Sequence, residues 1–159
     1  MAGMELHELI NGYIAVENAV ASLYRIFMDL FPKEKPLWQD LYRDELEHSF
    51  WLSDASFVES IDLLPSTDLL PSMKLVESTF KFTNRTISHI KTNPVTLEEA
   101  LKIALKLEES MVETFTNELR ANLLASDYAS LSEKLITAEK AHINKIEDMM
   151  ISKGFLQVS

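Results

Sequence analysis

A chain of 159 residues, 47% of them apolar, is long enough to bury a full core, and one domain is expected over residues 1–159. A formal net charge of −10 excludes the basic surface that nucleic acid or an anionic membrane would need. The absence of cysteine excludes disulfides, thiolate catalysis, iron–sulfur clusters and cysteine-based zinc sites, while only 3 glycines and 5 prolines favour an all-α fold.

The opening MAGMELHELINGYI has no basic stretch followed by an apolar run, so no signal peptide is expected and the compartment expected is the cytoplasm. No run of apolar residues is long enough to span a bilayer. A first helix is predicted from Glu5 to Leu30, with Ile10, Ile14, Val20 or Ala21, Tyr24 and Phe27 or Met28 on its apolar face. Phe31-Pro32 should end it, because proline cannot continue a helix. A second helix is predicted from Pro36, with a stripe of Leu41, Glu45, His48, Leu52 and Ala55. The short FPKEKP link makes these two helices antiparallel neighbours.

Residues 61–72, IDLLPSTDLLPS, read as a turn, and a further amphipathic helix is predicted over Met73–Lys91, with Val76, Phe80, Ile87 and Ile90 on one side. Asn93-Pro94 should end that helix. A third long helix is predicted from Thr96, its N-cap, to about Arg120, with Glu98 and Glu99 in the first turn. Its stripe is Leu97, Leu101, Ala104, Glu108, Met111 and Phe115. A fourth is predicted over Ser126–Lys153, with Leu131, Leu135, Glu139, His142, Ile146 and Met150 inward and Gly154 as its stop.

Two of the four histidines lie three residues after a glutamate, in Glu45-x-x-His48 and Glu139-x-x-His142. That spacing puts a carboxylate and an imidazole on one helical face. Glu17 and Glu108 also fall on apolar faces, where an unpaired charge is costly. The pattern is duplicated. Glu17 precedes Tyr24 by 7 residues and Glu45 by 28, while Glu108 precedes Phe115 by 7 and Glu139 by 31. The chain therefore reads as two copies of a helical hairpin, each giving a lone Glu and then a Glu-x-x-His. Glu17, Glu45, His48, Glu108, Glu139 and His142 together offer hard oxygens and imidazole nitrogens, the donor set of di-iron and di-manganese carboxylate bundles.

Several neighbours bear on this set. Glu109 and Glu113 are alternatives to Glu108, but the helical stripe and the repeat both select Glu108. Glu47 lies off the stripe and is expected in solvent. Asp44 is either a surface residue or a carboxylate that reaches across to orient His142. Tyr13 and Tyr24 flank Glu17 as core aromatics or as hydrogen-bond or electron donors. Trp38 and Trp51 are expected in core or interface packing, His7 and His89 at the surface, and the seven methionines as gap fillers.

Glu17 with Tyr24, Glu45-x-x-His48, Glu108 with Phe115 and Glu139-x-x-His142 resemble the rubrerythrin branch of the ferritin-like superfamily, over nearly the whole chain. The resemblance implies a ferritin-like four-helix bundle whose long crossover contains the extra helix. It also implies two iron ions, with manganese or zinc as substitutes, and peroxide or dioxygen as the reactant. A homodimer commonly goes with the family. Rubrerythrins proper carry a cysteine-ligated rubredoxin domain, and a chain without cysteine would need an external, rubredoxin-like electron donor. An alternative is iron handling, as ferroxidase or store, although only FLQVS follows Gly154 where a large cage would want a further helix. A third is a metal-binding bundle without catalysis.

Overall fold

The structure, a computed structural model, describes residues 2–53, 70–114 and 129–157. Those residues are all-helical, with no strand among them. Five α-helices follow in order: α1 (Ala2–Leu30), α2 (Lys35–Ser53), α3 (Leu70–Ile90), α4 (Leu97–Thr114) and α5 (Ala129–Ser152). Among the described residues, no helix is long and apolar enough to cross a membrane.

Local chemistry sets the helix ends. Phe31 leaves the helical region (φ −125°, ψ 71°) before Pro32, which breaks α1 and opens a single 3₁₀ turn over Pro32–Glu34. The turn is pinned from elsewhere: Lys153 Nζ, past the end of α5, lies 3.1 Å from the buried Glu34 carboxylate. Thr96 and Glu99 form a reciprocal capping box at the start of α4, each side chain accepting the other's backbone N–H at 3.1 Å. Gly154, at φ +78°, ends α5 in a Schellman motif. Phe155 N donates to Met150 O at 2.8 Å and Gly154 N to Ile151 O at 3.0 Å.

Two expectations need correction. The stretch read as a turn through residue 72 is already helical from Leu70, while residues 61–69 lie outside the described residues. Pro71 falls in the first turn of α3, where a proline's missing N–H has no intrahelical partner to lose. Phe80 is exposed and does not face the core; the buried side of α3 carries Val76, Thr79, Thr83 and Ile90. The two threonines fit there because each hydroxyl donates to the backbone carbonyl four residues earlier, at 2.9 and 2.7 Å. The expected positions Ala55, Phe115, Arg120 and Ser126 lie outside the described residues.

In packing, α1 lies against α2 and α3, α4 against α5, and smaller contacts join α3 to α4 and α2 to α5. The core runs along α1 from Ile10 through Tyr13, Val16, Val20 and Leu23 to Phe27. Trp38 of α2 closes one end, fully buried with ring centroids 4.9 Å from Phe27 and 5.8 Å from Tyr24. Gly12 allows the close approach of α1 and α3, since a Cβ there would meet Val76 Cγ1 at 2.8 Å. Valine is stiff at χ1 and cannot swing away cheaply. Gly12→Ala gains about 1 kcal/mol of helix propensity and loses about 1–3 kcal/mol to overpacking. A net destabilisation is expected in thermal unfolding, relieved when Val76→Ala is added. An unchanged or higher Tm for the single variant would show that the two helices can separate at no cost.

Candidate metal centre

Four helices deliver the six predicted residues to one place. Glu17 comes from α1, Glu45 and His48 from α2, Glu108 from α4, and Glu139 and His142 from α5. All six are buried, none exposing more than 1% of its surface. Glu109 on α4 and Glu47 on α2 are exposed. The side chains of His7 and Glu113 lie outside the described residues, and His89 is exposed.

The donor atoms fall into two overlapping groups, each within 4.8 Å throughout. Glu17, Glu45, His48 and Glu139 form one group, and Glu45, Glu108, Glu139 and His142 form the other. Glu45 and Glu139 are common to both. His48 Nδ1 lies 3.0 Å from Glu139, 3.7 Å from Glu17 and 3.8 Å from Glu45. His142 Nδ1 lies 3.1 Å from Glu45, 3.3 Å from Glu108 and 4.0 Å from Glu139. The two imidazoles stack at 5.3 Å between centroids. Both rings thus turn Nδ1 toward the carboxylates.

An outer set of polar contacts holds part of this arrangement. Asp44 accepts from His142 Nε2 at 3.0 Å, so it reaches across from α2 to α5. Tyr24 donates to Glu108 Oε1 at 2.7 Å. Tyr13 donates to the backbone carbonyl of Met111 at 3.1 Å. Spacing alone placed both tyrosines beside Glu17 on their own helix. Their hydroxyls cross to α4, and no signal within α1 reveals that partner. On the outer side of His48 the Trp51 ring sits at 5.2 Å, with Lys134 Nζ over that indole at 3.9 Å.

Without metal the cluster is electrostatically strained. Burial pushes Glu139 well above the usual carboxylate range, and the charges of Glu108 and Glu17 add to it. Burial also raises Glu17, against the opposing pull of His48. Burial works on Glu108 too, but the neighbouring Glu139 carboxyl, the His142 ring and the Tyr24 hydroxyl outweigh it and hold that group low. Burial disfavours the His142 imidazolium, yet the Asp44 and Glu108 carboxylates outweigh it and push the ring up to about 9. Asp44 is held low by its bond to His142. Burial, then the cluster's charges, keeps both tyrosines neutral hydroxyl donors.

The donors fit a pair of divalent ions. Among the described residues, the buried side-chain atoms without a hydrogen-bond partner are both oxygens of Glu17 and Glu45, Glu108 Oε2, Glu139 Oε2, His142 Nδ1 and Trp38 Nε1. All but the indole nitrogen belong to the cluster and point at one another. Buried polar atoms are seldom left so, and a cation is the partner that satisfies several carboxylate oxygens together. Four carboxylates also balance two divalent charges. The chain is thus a helical protein whose buried Glu/His cluster could hold a di-metal site, compatible with a ferritin-like fold. No family model, curated protein or solved structure matches it.

Proposed function

We propose that this chain is a ferritin-like four-helix bundle of the rubrerythrin type, built from α1, α2, α4 and α5, with α3 in the crossover. In this reading the six residues bind two iron ions and the protein reduces peroxide or dioxygen, as a homodimer re-reduced by an external rubredoxin-like donor. The observation that carries the reading is the sharing of Glu45 and Glu139 between two four-donor groups. A carboxylate has two oxygens, so a shared one can bridge two ions.

Bound iron would supply the electrons for the reduction. The chain's own residues set the surroundings. Glu17 and His48 would hold one ion, Glu108 and His142 the other, with Glu45 and Glu139 between. Tyr24 fixes Glu108 by a hydrogen bond and stays neutral. Asp44 fixes the His142 ring through Nε2, which leaves Nδ1 for a metal. Burial of all six residues keeps bulk water from the ions and restricts access to small reactants.

The test is stopped-flow oxidation of the chain loaded anaerobically with Fe²⁺. A fast phase with peroxide or dioxygen is expected, then arrest, because no cysteine-ligated iron is present to return electrons. A rubredoxin with its reductase should restore cycling. Sustained peroxide loss without a donor, free iron being excluded, would replace peroxide reduction by disproportionation. No fast phase with either oxidant would overturn the oxidoreductase reading in favour of iron storage or plain metal binding.

A further inference from the structure

The two halves of the site are not equivalent. The sequence repeat sets Glu17 against Glu108 and Glu45-x-x-His48 against Glu139-x-x-His142, so each outer residue has a counterpart. Asp44 precedes Glu45; the residue preceding Glu139 is Ala138. Tyr24 stands seven after Glu17; the residue seven after Glu108 is Phe115, which lies outside the described residues and has no hydroxyl. Both polar outer residues therefore come from the first copy. Both act across the bundle on the same half, Asp44 on His142 and Tyr24 on Glu108.

The other half is supported differently. Neither oxygen of Glu17 has a hydrogen-bond partner among the described residues. His48 has the Trp51 indole beside it, and the Lys134 ammonium lies over that indole. A carboxylate behind a ligating imidazole raises its basicity and fixes its ring. A neutral indole fixes the ring only, and a nearby ammonium opposes further positive charge.

Resting on the two-metal reading above, we infer that the centre has one tight and one exchangeable position. The tight position is Glu108–His142, held by Asp44 and Tyr24, and the exchangeable one is Glu17–His48, backed by Trp51. Loading is then ordered. The first ion binds at Glu108–His142 with the shared Glu45 and Glu139. The second enters and leaves beside Trp51.

The experiment titrates metal-free full-length chain with Co²⁺, followed by calorimetry and by ligand-field absorption, with circular dichroism to verify folding. Two resolved steps are expected, the first tighter by about 10–100-fold, the usual effect of an outer hydrogen-bond partner on a metal site. Asp44→Ala and Tyr24→Phe should weaken the first step and spare the second. Ala138→Asp supplies the missing carboxylate at a half-buried position and should tighten the second step. Trp51 emission should quench in the second step, and Trp51→Phe should abolish that part of the signal. Two ions binding with equal affinity, or Asp44→Ala weakening both steps alike, would overturn the inequality while leaving the two-metal reading intact. No Co²⁺ uptake by the wild type would overturn both.

Discussion

Glu45→Ala or Glu139→Ala is expected to remove both metal ions, whereas Glu17→Ala or Glu108→Ala removes one. The first pair belongs to both donor groups and the second pair to one group each. Free ion at a hundredfold over its Kd stabilises a folded protein by about 2.7 kcal/mol per site. For a chain of this size that shifts Tm by on the order of 10 °C. The wild type should show the shift when metal is added, and the Glu45 and Glu139 variants should not. The metal-free variants should stay folded, because the apolar faces hold the helices and a strained carboxylate has gone. Metal content per folded chain, with Tm, decides the matter. A variant that unfolds without metal yet binds two ions when folded would make that glutamate structural.

The second large effect is a reversal in pH dependence between the metal-free and loaded forms. His142 is raised from 6.5 to about 9, so its contribution to stability is full below 6.5 and is lost as pH rises through about 9. That gap corresponds to roughly 3 kcal/mol. Glu17 and Glu139 are raised above 4.5 by burial, so they too cost stability as pH climbs past their unfolded value. Asp44 and Glu108 are lowered, so their contributions are present above 3.8 and 4.5 and fail only in acid. The metal-free chain should therefore be most stable in mildly acidic solution and should weaken toward alkaline pH. Metal needs the same groups deprotonated, so its affinity should rise over that range with release of protons. Thermal unfolding at several pH values, with chelator and with Mn²⁺, tests the reversal. Calorimetry in two buffers of different ionisation enthalpy counts the protons. Metal-free stability that rises from pH 6 to 9, or binding without proton release, would show the cluster's protonation to be otherwise.

Much of the cluster was legible because helical periodicity is a strong constraint. The stripe and the repeat together favoured Glu108 over Glu109, and the structure buries one and exposes the other. Glu-x-x-His fixes a shared face whatever the partner helices do. The Thr96 N-cap and the Gly154 stop were legible because both are local backbone chemistry, while the return bond from Thr96 N–H to Glu99 that completes a capping box came only with the structure. Contacts between helices distant in sequence were not. Tyr24 to Glu108 spans 84 residues, and Lys153, just past α5, reaches Glu34 in the link between α1 and α2. Phe80 misled because α3 turns its threonines inward, using hydroxyls satisfied by their own helix. The start of α3 misled because a proline reads as a breaker unless the first turn is already placed.

The distribution of donors across the fold has a mechanical consequence. Glu17, Glu45 and His48 lie on the first hairpin, and Glu108, Glu139 and His142 on the second. Between α2 and α5 the direct packing is slight, and the contacts that cross from one hairpin to the other include the polar ones of the site: Asp44 to His142, His48 to Glu139 and Tyr24 to Glu108. A pair of ions bridged by Glu45 and Glu139 would rivet that seam. The chain has no cysteine with which to staple itself, and ions held only by the folded bundle would stabilise it by mass action while tying together positions nearly a hundred residues apart. Loading would then slow amide exchange in both hairpins at once, most of all at the residues flanking the six ligands.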